Sequence, residues 1–339
     1  MLLLVPMALA ADLTQMPDAL EVEAAVAYQG TSENAGLVEA DTRVADRRYR
    51  AHAMQLRAGF APARGIAFHV AADVTVDWMY TFTNHRTMQL EPVDGGGTYL
   101  DAPVIEAPVG VGGSGLNGIW FGASLAPFSE RYAKFHRITW KLDLAVRTGS
   151  ARDNRWTVDN GRGGGPGGTA VRFGAAFSRR TGVSEPYVAG SYQHEGAVEV
   201  DVRDEQGRGA LLQLDPPSIA ELRGGCELHT ETDLLAVDVW IGVRATTPAQ
   251  IPSGILLPDV LDSAKTIAVT HSDHVAGQAG LNLHVAFAPF LDTSLGVFGR
   301  YTVPHRQEHV FPVRTDTDAV TIGWTADLVA RFGVGKSDD

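Results

Sequence analysis

Few groupings in this 339-residue chain have residue types and spacings associated with chemistry. Gly110-Val111-Gly112-Gly113-Ser114-Gly115 fits the G-x-G-x-x-G pattern that brings a backbone close to a pyrophosphate. That function needs a strand immediately before it and a helix after it. Here it lies in a long Gly- and Pro-containing stretch with neither, so it reads as loop. Gly161-Arg162-Gly163-Gly164-Gly165-Pro166-Gly167-Gly168 lacks the Gly-Lys-Ser/Thr of a phosphate loop and reads as a flexible connection. His271-Ser272-Asp273-His274 places two imidazoles beside a carboxylate, a donor set suited to a divalent cation. Without a further ligand on a fixed backbone it is expected to be a solvated loop, and no metal ligand is assigned. Cys226 is the only cysteine, which excludes an internal disulfide and a cysteine-based zinc cluster.

Composition narrows the class of protein that could position such groups. Hydrophobic residues make up 45% of the chain, too many for a disordered polymer. Mean hydropathy is only −0.04, and no run of 18 apolar residues occurs, so no spanning helix is expected. Net charge is −12, without a lysine- or arginine-rich run, which argues against a nucleic-acid partner.

The dominant pattern is alternation with a period of two. Ile66, Phe68, Val70, Ala72, Val74, Val76 and Trp78 share one face, while Ala67, His69, Ala71, Asp73, Thr75 and Asp77 share the other. Ile138, Trp140, Leu142, Leu144 and Val146 stand against Arg137, Thr139, Lys141, Asp143 and Arg147. Near the C-terminus Val320, Ile322, Trp324, Ala326, Leu328, Ala330 and Phe332 oppose Thr321, Gly323, Thr325, Asp327 and Arg331. Successive side chains of a strand point to opposite faces, so each segment is a strand with one oily and one polar face. The pattern predicts twelve strands, near 20–30, 47–60, 66–78, 115–126, 135–148, 169–180, 186–197, 217–229, 234–246, 276–288, 293–303 and 318–333. Most have ten or more residues, enough to cross a bilayer when tilted. The connections alternate: short at 61–65, 127–134, 181–185, 230–233 and 289–292, long at 31–46, 79–114, 149–168, 198–216, 247–275 and 304–317. Ala-Pro pairs at 61–62, 126–127 and 288–289 mark strands entering short turns, where a residue without an N–H is tolerated.

Aromatic residues fall at the ends of the apolar faces. Phe60, Phe177, Phe287 and Phe332 finish strands at one end, and Tyr28, Trp78, Tyr192 and Tyr301 finish them at the other. This is the placement of membrane-interface girdles. With its alternation, loop asymmetry and girdles, the chain resembles bacterial outer-membrane β-barrels over roughly residues 20–333. A soluble sandwich also alternates, but has shorter strands and needs no aromatic rings around its solvent face. The resemblance implies an all-β fold, an antiparallel transmembrane barrel of about twelve strands with short periplasmic turns and long external loops. It also implies a cell outer-membrane location in a Gram-negative bacterium, contact with outer-membrane lipid, and delivery by the barrel-assembly machinery. Such proteins commonly end on an aromatic, whereas Phe332 is followed by seven more residues. Residues 1–11 read as the end of a signal peptide, with Ala8-Leu9-Ala10 as a small-x-small cleavage site, leaving 12–339 as one barrel domain.

The polar faces would then line a lumen. They carry nine acidic residues (Glu21, Glu23, Asp73, Asp77, Asp143, Glu221, Glu227, Asp238, Asp327) and nine basic ones (Arg57, Arg137, Lys141, Arg147, Arg172, Arg223, Arg244, Arg300, Arg331). A balanced wall predicts weak selectivity, or simply pairing between neighbouring strands. Twelve strands are intermediate between filled and freely aqueous barrels. The expected function is a passive or weakly selective channel for small polar solutes, lined by Arg137, Lys141, Asp143, Arg147, Arg223, Glu227, Asp238, Arg244, Arg300 and Arg331. The 36-residue connection 79–114 is the candidate plug. A closed structural or surface-recognition barrel is the alternative. Some outer-membrane barrels are hydrolases that use a histidine two residues before a serine. No His-x-Ser occurs here, no catalytic residue or cofactor is assigned, and an Asp–His pairing across strands stays open.

Overall fold

The computed structural model describes residues 17–39, 42–84, 109–129, 138–149, 155–157, 168–203, 209–256, 266–288, 290–308 and 314–333. The strands in chain order are β1 (Glu21–Glu39), β2 (Thr42–Ala63), β3 (Ile66–Asn84), β4 (Val109–Phe128), β5 (Thr139–Thr148), β6 (Arg155–Thr157), β7 (Ala170–Ser178), β8 (Ser184–Glu195), β9 (Val198–Arg203), β10 (Gly209–Leu214), β11 (Ile219–His229), β12 (Leu235–Thr246), β13 (Ala249–Leu256), β14 (Thr266–His271), β15 (His274–Ala288), β16 (Leu291–Glu308) and β17 (Arg314–Gly333). Twelve of them form an antiparallel wall in the order β1-β2-β3-β4-β5-β7-β8-β11-β12-β15-β16-β17, and β17 pairs back onto β1. All twelve predicted strands are present, and the barrel is closed.

Closure follows from the two faces of each strand. The apolar phase points outward, with Phe68, Phe121, Phe173, Val239, Ile241, Phe287, Leu295 and Ile322 exposed around the circumference. A soluble monomer does not carry an apolar surface of that extent. The polar phase points inward and is buried, as at Lys141, Arg147, Glu227, Asp238, Arg300 and Asp327. One end carries tight connections. Arg64-Gly65 alone separates β2 from β3, with Gly65 at φ 78°, a left-handed conformation that glycine adopts without strain. At this end the outward aromatics stack as neighbours: Phe128 on Trp140 (6.3 Å), Trp140 on Phe177 (5.6 Å) and Phe290 on Phe332 (6.2 Å). At the other end Tyr192 and Tyr301 are exposed, and Tyr28 packs on Trp324 at 5.1 Å.

Four expectations need correction here. Segment 110–115, read as loop, lies within β4 and pairs with β3. Connection 31–46 is mostly strand, because β1 and β2 run on until only residues 40–41 separate them. Past the oily band the outward positions can be polar, as at Asn34, Arg48 and Arg50, so hydropathy loses its period while backbone pairing continues. Connections 149–168, 198–216 and 247–275 carry strands of their own. β9 pairs with β10 and with β6, and the β13–β14 hairpin rests on the end of β16. Trp78 is not an outward girdle residue. Ala53 pairs with Thr75 but His52 pairs with Asp77, so β3 bulges at Val76 and its phase inverts. Trp78 is therefore 8% exposed while Met79 is 50% exposed, and Asp77 turns outward. The signal segment 1–11, the centre of the candidate plug at 85–108 and the tail after Gly333 lie outside the described residues.

The outward face predicts a specific asymmetry. Ile241→Arg, at the middle of β12, is expected to destabilise the refolded barrel by about 2–4 kcal/mol in a denaturant titration in lipid. An unchanged midpoint would mean that this face does not meet lipid.

Candidate functional site in the lumen

Inward side chains form layers that follow the strand register. At the open-loop end, Glu33 on β1 accepts from Arg47 Nη2 at 3.0 Å and from Thr321 Oγ1 at 3.3 Å. Thr321 is the partner of Arg300 across β16–β17, and Arg300 is the partner of Gln278 across β15–β16. Arg244 on β12 faces Glu221 on β11 at 3.4 Å. Arg300 Nε is buried without a hydrogen-bond partner, and its guanidinium stands 5.9 Å from the Phe298 ring.

The middle layer is organised by three inward aromatics. Trp120 on β4 is fully buried and donates Nε1–H to Asp73 Oδ2 at 2.6 Å. Arg172 and Arg147 stack over its ring at 4.9 and 5.3 Å. Arg147 also donates to Glu195, a carboxylate only 1% exposed, and to the Gly168 carbonyl at 3.1 Å. Across the lumen Arg223 lies over Trp240 at 5.0 Å and Tyr187 at 5.9 Å. Asp238 below them accepts from Asn282 Nδ2 at 2.8 Å and from the Tyr187 hydroxyl at 3.3 Å.

Apart from Trp120, which pairs with Ala71 and Arg147, the inward rings lie along the wall because each has a glycine directly opposite on the next strand. Trp240 pairs with Gly280, Tyr187 with Gly225 and Phe298 with Gly323. A Cβ at those glycines would come within 2.6, 2.6 and 2.3 Å of the respective rings. Missing side chains on one strand thus make the seats for large ones on its neighbour.

The short-turn end is held by ion pairs that cross the seam of the barrel. Glu23 on β1 takes Arg57 of β2 at 2.9 Å and Arg331 of β17 at 3.0 Å, and Arg331 continues to Asp292 of β16. Lys141 faces Asp143 at 3.7 Å, and Asp143 also accepts from Ser124. Of the ten residues singled out in the sequence, nine sit on the inner face at these depths and Arg137 lies outside the described residues. They do not converge on one point. They are spread along the lumen: Arg244 and Arg300 towards the open-loop end, Arg147 and Arg223 on the inward rings, Asp238 directly paired with Glu227, and Lys141, Asp143 and Arg331 near the short turns.

Sequence reasoning overlooked the inward rings and Glu195, although phase marks the rings. Val237, Val239, Ile241 and Val243 set the oily face of β12, which puts Trp240 on the same face as Asp238 and Arg244.

Above the oily band, on the open-loop side, three histidines meet. His271 Nδ1 lies 3.3 Å from His305 Nε2, and the His274 and His305 rings stack at 4.2 Å. The expectation of a solvated loop at 271–274 is corrected for His271, which is buried against His305. Burial, reinforced by neighbouring positive charge, pushes all three below the ordinary imidazole range, His305 to about 4. The His271 ring is tilted by 31° to His305 and by 53° to His274.

Compared with known proteins, no family model and no curated protein matches the sequence. Among solved structures the chain is similar to an outer membrane channel from Pseudomonas putida F1, with a TM-score of 0.50 and 11% identity over 95% of this chain and 98% of that one. The fold is that of an outer-membrane β-barrel. The P. putida toluene transporter TodX (TM-score 0.43, 12% identity, 96% of this chain and 93% of that one) and a Pseudomonas aeruginosa FadL homologue (0.42, 8%, 92% and 90%) also align with it. With its exposed apolar belt and polar interior, this barrel belongs in the outer membrane.

Two outcomes follow. Arg147→Ala strands the buried Glu195 carboxylate and is expected to cost about 3–5 kcal/mol in unfolding free energy. Arg147→Met combined with Glu195→Gln should recover most of that loss, and a double variant no better than the single one would show that the pair is not coupled. The histidines predict a pH effect. Their folded pKa values are depressed, so the unfolded chain binds protons first as pH falls below about 6.5. Stability is present above that pH and declines towards pH 4. His305→Gln should flatten this decline in urea midpoints measured across the window, and an unaltered slope would remove His305 from it.

Proposed function

We propose that the protein is an outer-membrane channel for small polar solutes, with its constriction formed by the inward arginines. One observation carries this reading: charged side chains face inward at every level, whereas a barrel filled only for stability can be packed with apolar groups at lower desolvation cost. Both signs are present in each layer, which supports weak charge selection. Arg147, Arg223, Arg244 and Arg300 come from four strands and all lie on the inner face. Lys141, Asp143, Glu227, Asp238, Arg331 and, by sequence, Arg137 complete the lining.

A second reading has its own support. Many of the lumen side chains are buried, Trp120 and Asp238 at 0% exposure, although Asp143 near the short turns is partly open. That favours a barrel that is shut at rest, with function in the external loops.

Single-channel recording of the refolded full chain in a planar lipid bilayer separates the two. Discrete conductance steps that grow in Arg300→Ala and Arg223→Ala establish the channel and its constriction. Steps unchanged in both variants would move the constriction elsewhere. Verified insertion with no current in the wild-type protein or either variant would leave the closed-barrel reading.

A further inference from the structure

At the short-turn end of the lumen, on β8 and β11, a cluster has a donor set unlike the ion pairs around it. Glu185 and Glu227 are direct partners across β8–β11, and Asp238 is the partner of Glu227 across β11–β12. Three carboxylates thus share one rung, although like charges directly opposite each other destabilise a sheet. Asp238 is served by Asn282 and Tyr187, and Glu185 Oε1 accepts from Ser178 Oγ at 2.6 Å.

His229, the last residue of β11, turns into this rung. Its side chain is 9% exposed, and its Nε2 is closed off from solvent without a hydrogen-bond partner. That nitrogen is 3.5 Å from Glu185 Oε2 and 3.9 Å from Glu227 Oε2. One donor atom from each of the three residues lies within 4.8 Å of the other two. On the far side of the ring, Nδ1 faces Asp233 Oδ1 at 3.9 Å, and Arg180 anchors Asp233. A carboxylate on the Nδ1 side, here just beyond hydrogen-bond distance, biases the ring towards the tautomer with its lone pair on Nε2, the form that binds a metal.

We propose that Glu185, Glu227 and His229 bind a divalent transition cation of the zinc class, with Asp233 as a positioning residue and water in the remaining coordination places. One imidazole and two carboxylates suit such an ion, and its two positive charges match the two carboxylates. Small side-chain rotations bring the donors to bonding distance, about 2.0–2.2 Å from the ion. The site ties β8 to β11 beside the lumen exit and leaves the backbone ladders intact. Among the described residues no other such trio, the mouth histidines included, brings one donor atom from each side chain within 4.8 Å of the others.

The test uses chelator-treated, refolded full-length protein in detergent, titrated with zinc chloride by calorimetry and, separately, with cobalt(II) by visible absorption. One equivalent is expected to bind, with a cobalt spectrum showing nitrogen and oxygen ligation. Affinity should fall by tenfold or more in His229→Gln and in Glu227→Gln, and by about tenfold in Asp233→Asn. A combined His271→Gln, His274→Gln, His305→Gln variant should bind as the wild type does. Heat-modifiable migration on gels shows that each variant is folded. Should His229→Gln fail to fold, the wild-type cobalt spectrum and the mouth-histidine variant still decide the matter. No binding, or binding that survives His229→Gln and Glu227→Gln or is lost with the mouth histidines, would overturn the assignment.

Discussion

In a bilayer no water is available to satisfy a sheet edge, so every backbone N–H and C=O of this chain within the lipid must find a partner in another strand. The seam between the first and last strands settles this, running from Glu21–Gly333 to Val38–Asp316. Reinforcing ion pairs lie inside that seam. Arg57, Glu23, Arg331 and Asp292 come from β2, β1, β17 and β16, so one chain of charges staples four consecutive strands where the ends of the sheet join. This pairing joins the two strands furthest apart in sequence, so it carries the largest loop-closure cost in the wall.

Once the seam is closed, register determines everything in the lumen. A slip of one residue would exchange the two faces of a strand, placing arginines in lipid and valines in the interior. The inner layers add a finer lock. Trp240 fits only opposite Gly280, and Phe298 only opposite Gly323, so a slip of two residues, which preserves the faces, still drives each ring into a side chain. Arg147 and Glu195 illustrate the electrostatic counterpart. A buried pair contributes little net stability compared with apolar packing, but separating its members is costly. Such pairs penalise wrong registers more than they stabilise the right one.

Much of this was legible in the sequence, because a lipid-facing strand has a strict code: oily on every second residue for about ten residues. That code gives the twelve wall strands and their inward arginines. It fades where the lipid ends, which is why β1 and β2 extend past their predicted limits, with Asn34 facing outward beyond one of them and Arg48 and Arg50 just inside the other. It also fails at the Val76 bulge. A single extra residue inverts the phase while its neighbours remain a plausible alternating sequence, so Trp78 was assigned to the wrong face. Clusters such as Glu185, Glu227 and His229 escape sequence reading for another reason: more than 40 residues separate Glu185 from the other two, and only the pairing of two strands brings them together.

The same register restricts how the lumen can open. A closed ladder of hydrogen bonds cannot widen without breaking pairs that lipid cannot replace, so the wall behaves as a rigid cylinder. Any passage must come from side-chain movement. The inward arginines differ in what holds them. Arg147 combines a buried carboxylate, a backbone carbonyl and a ring, and releasing it would leave the buried Glu195 with Gln193 but without its counter-charge. Arg172 rests on the Trp120 face and Arg300 beside Phe298, contacts worth about 0.5–2 kcal/mol each. Desolvation further favours moving these two towards a hydrated solute. A lumen that is sealed at rest is therefore consistent with one that yields to a polar visitor, provided that guanidinium groups move and the strands stay fixed.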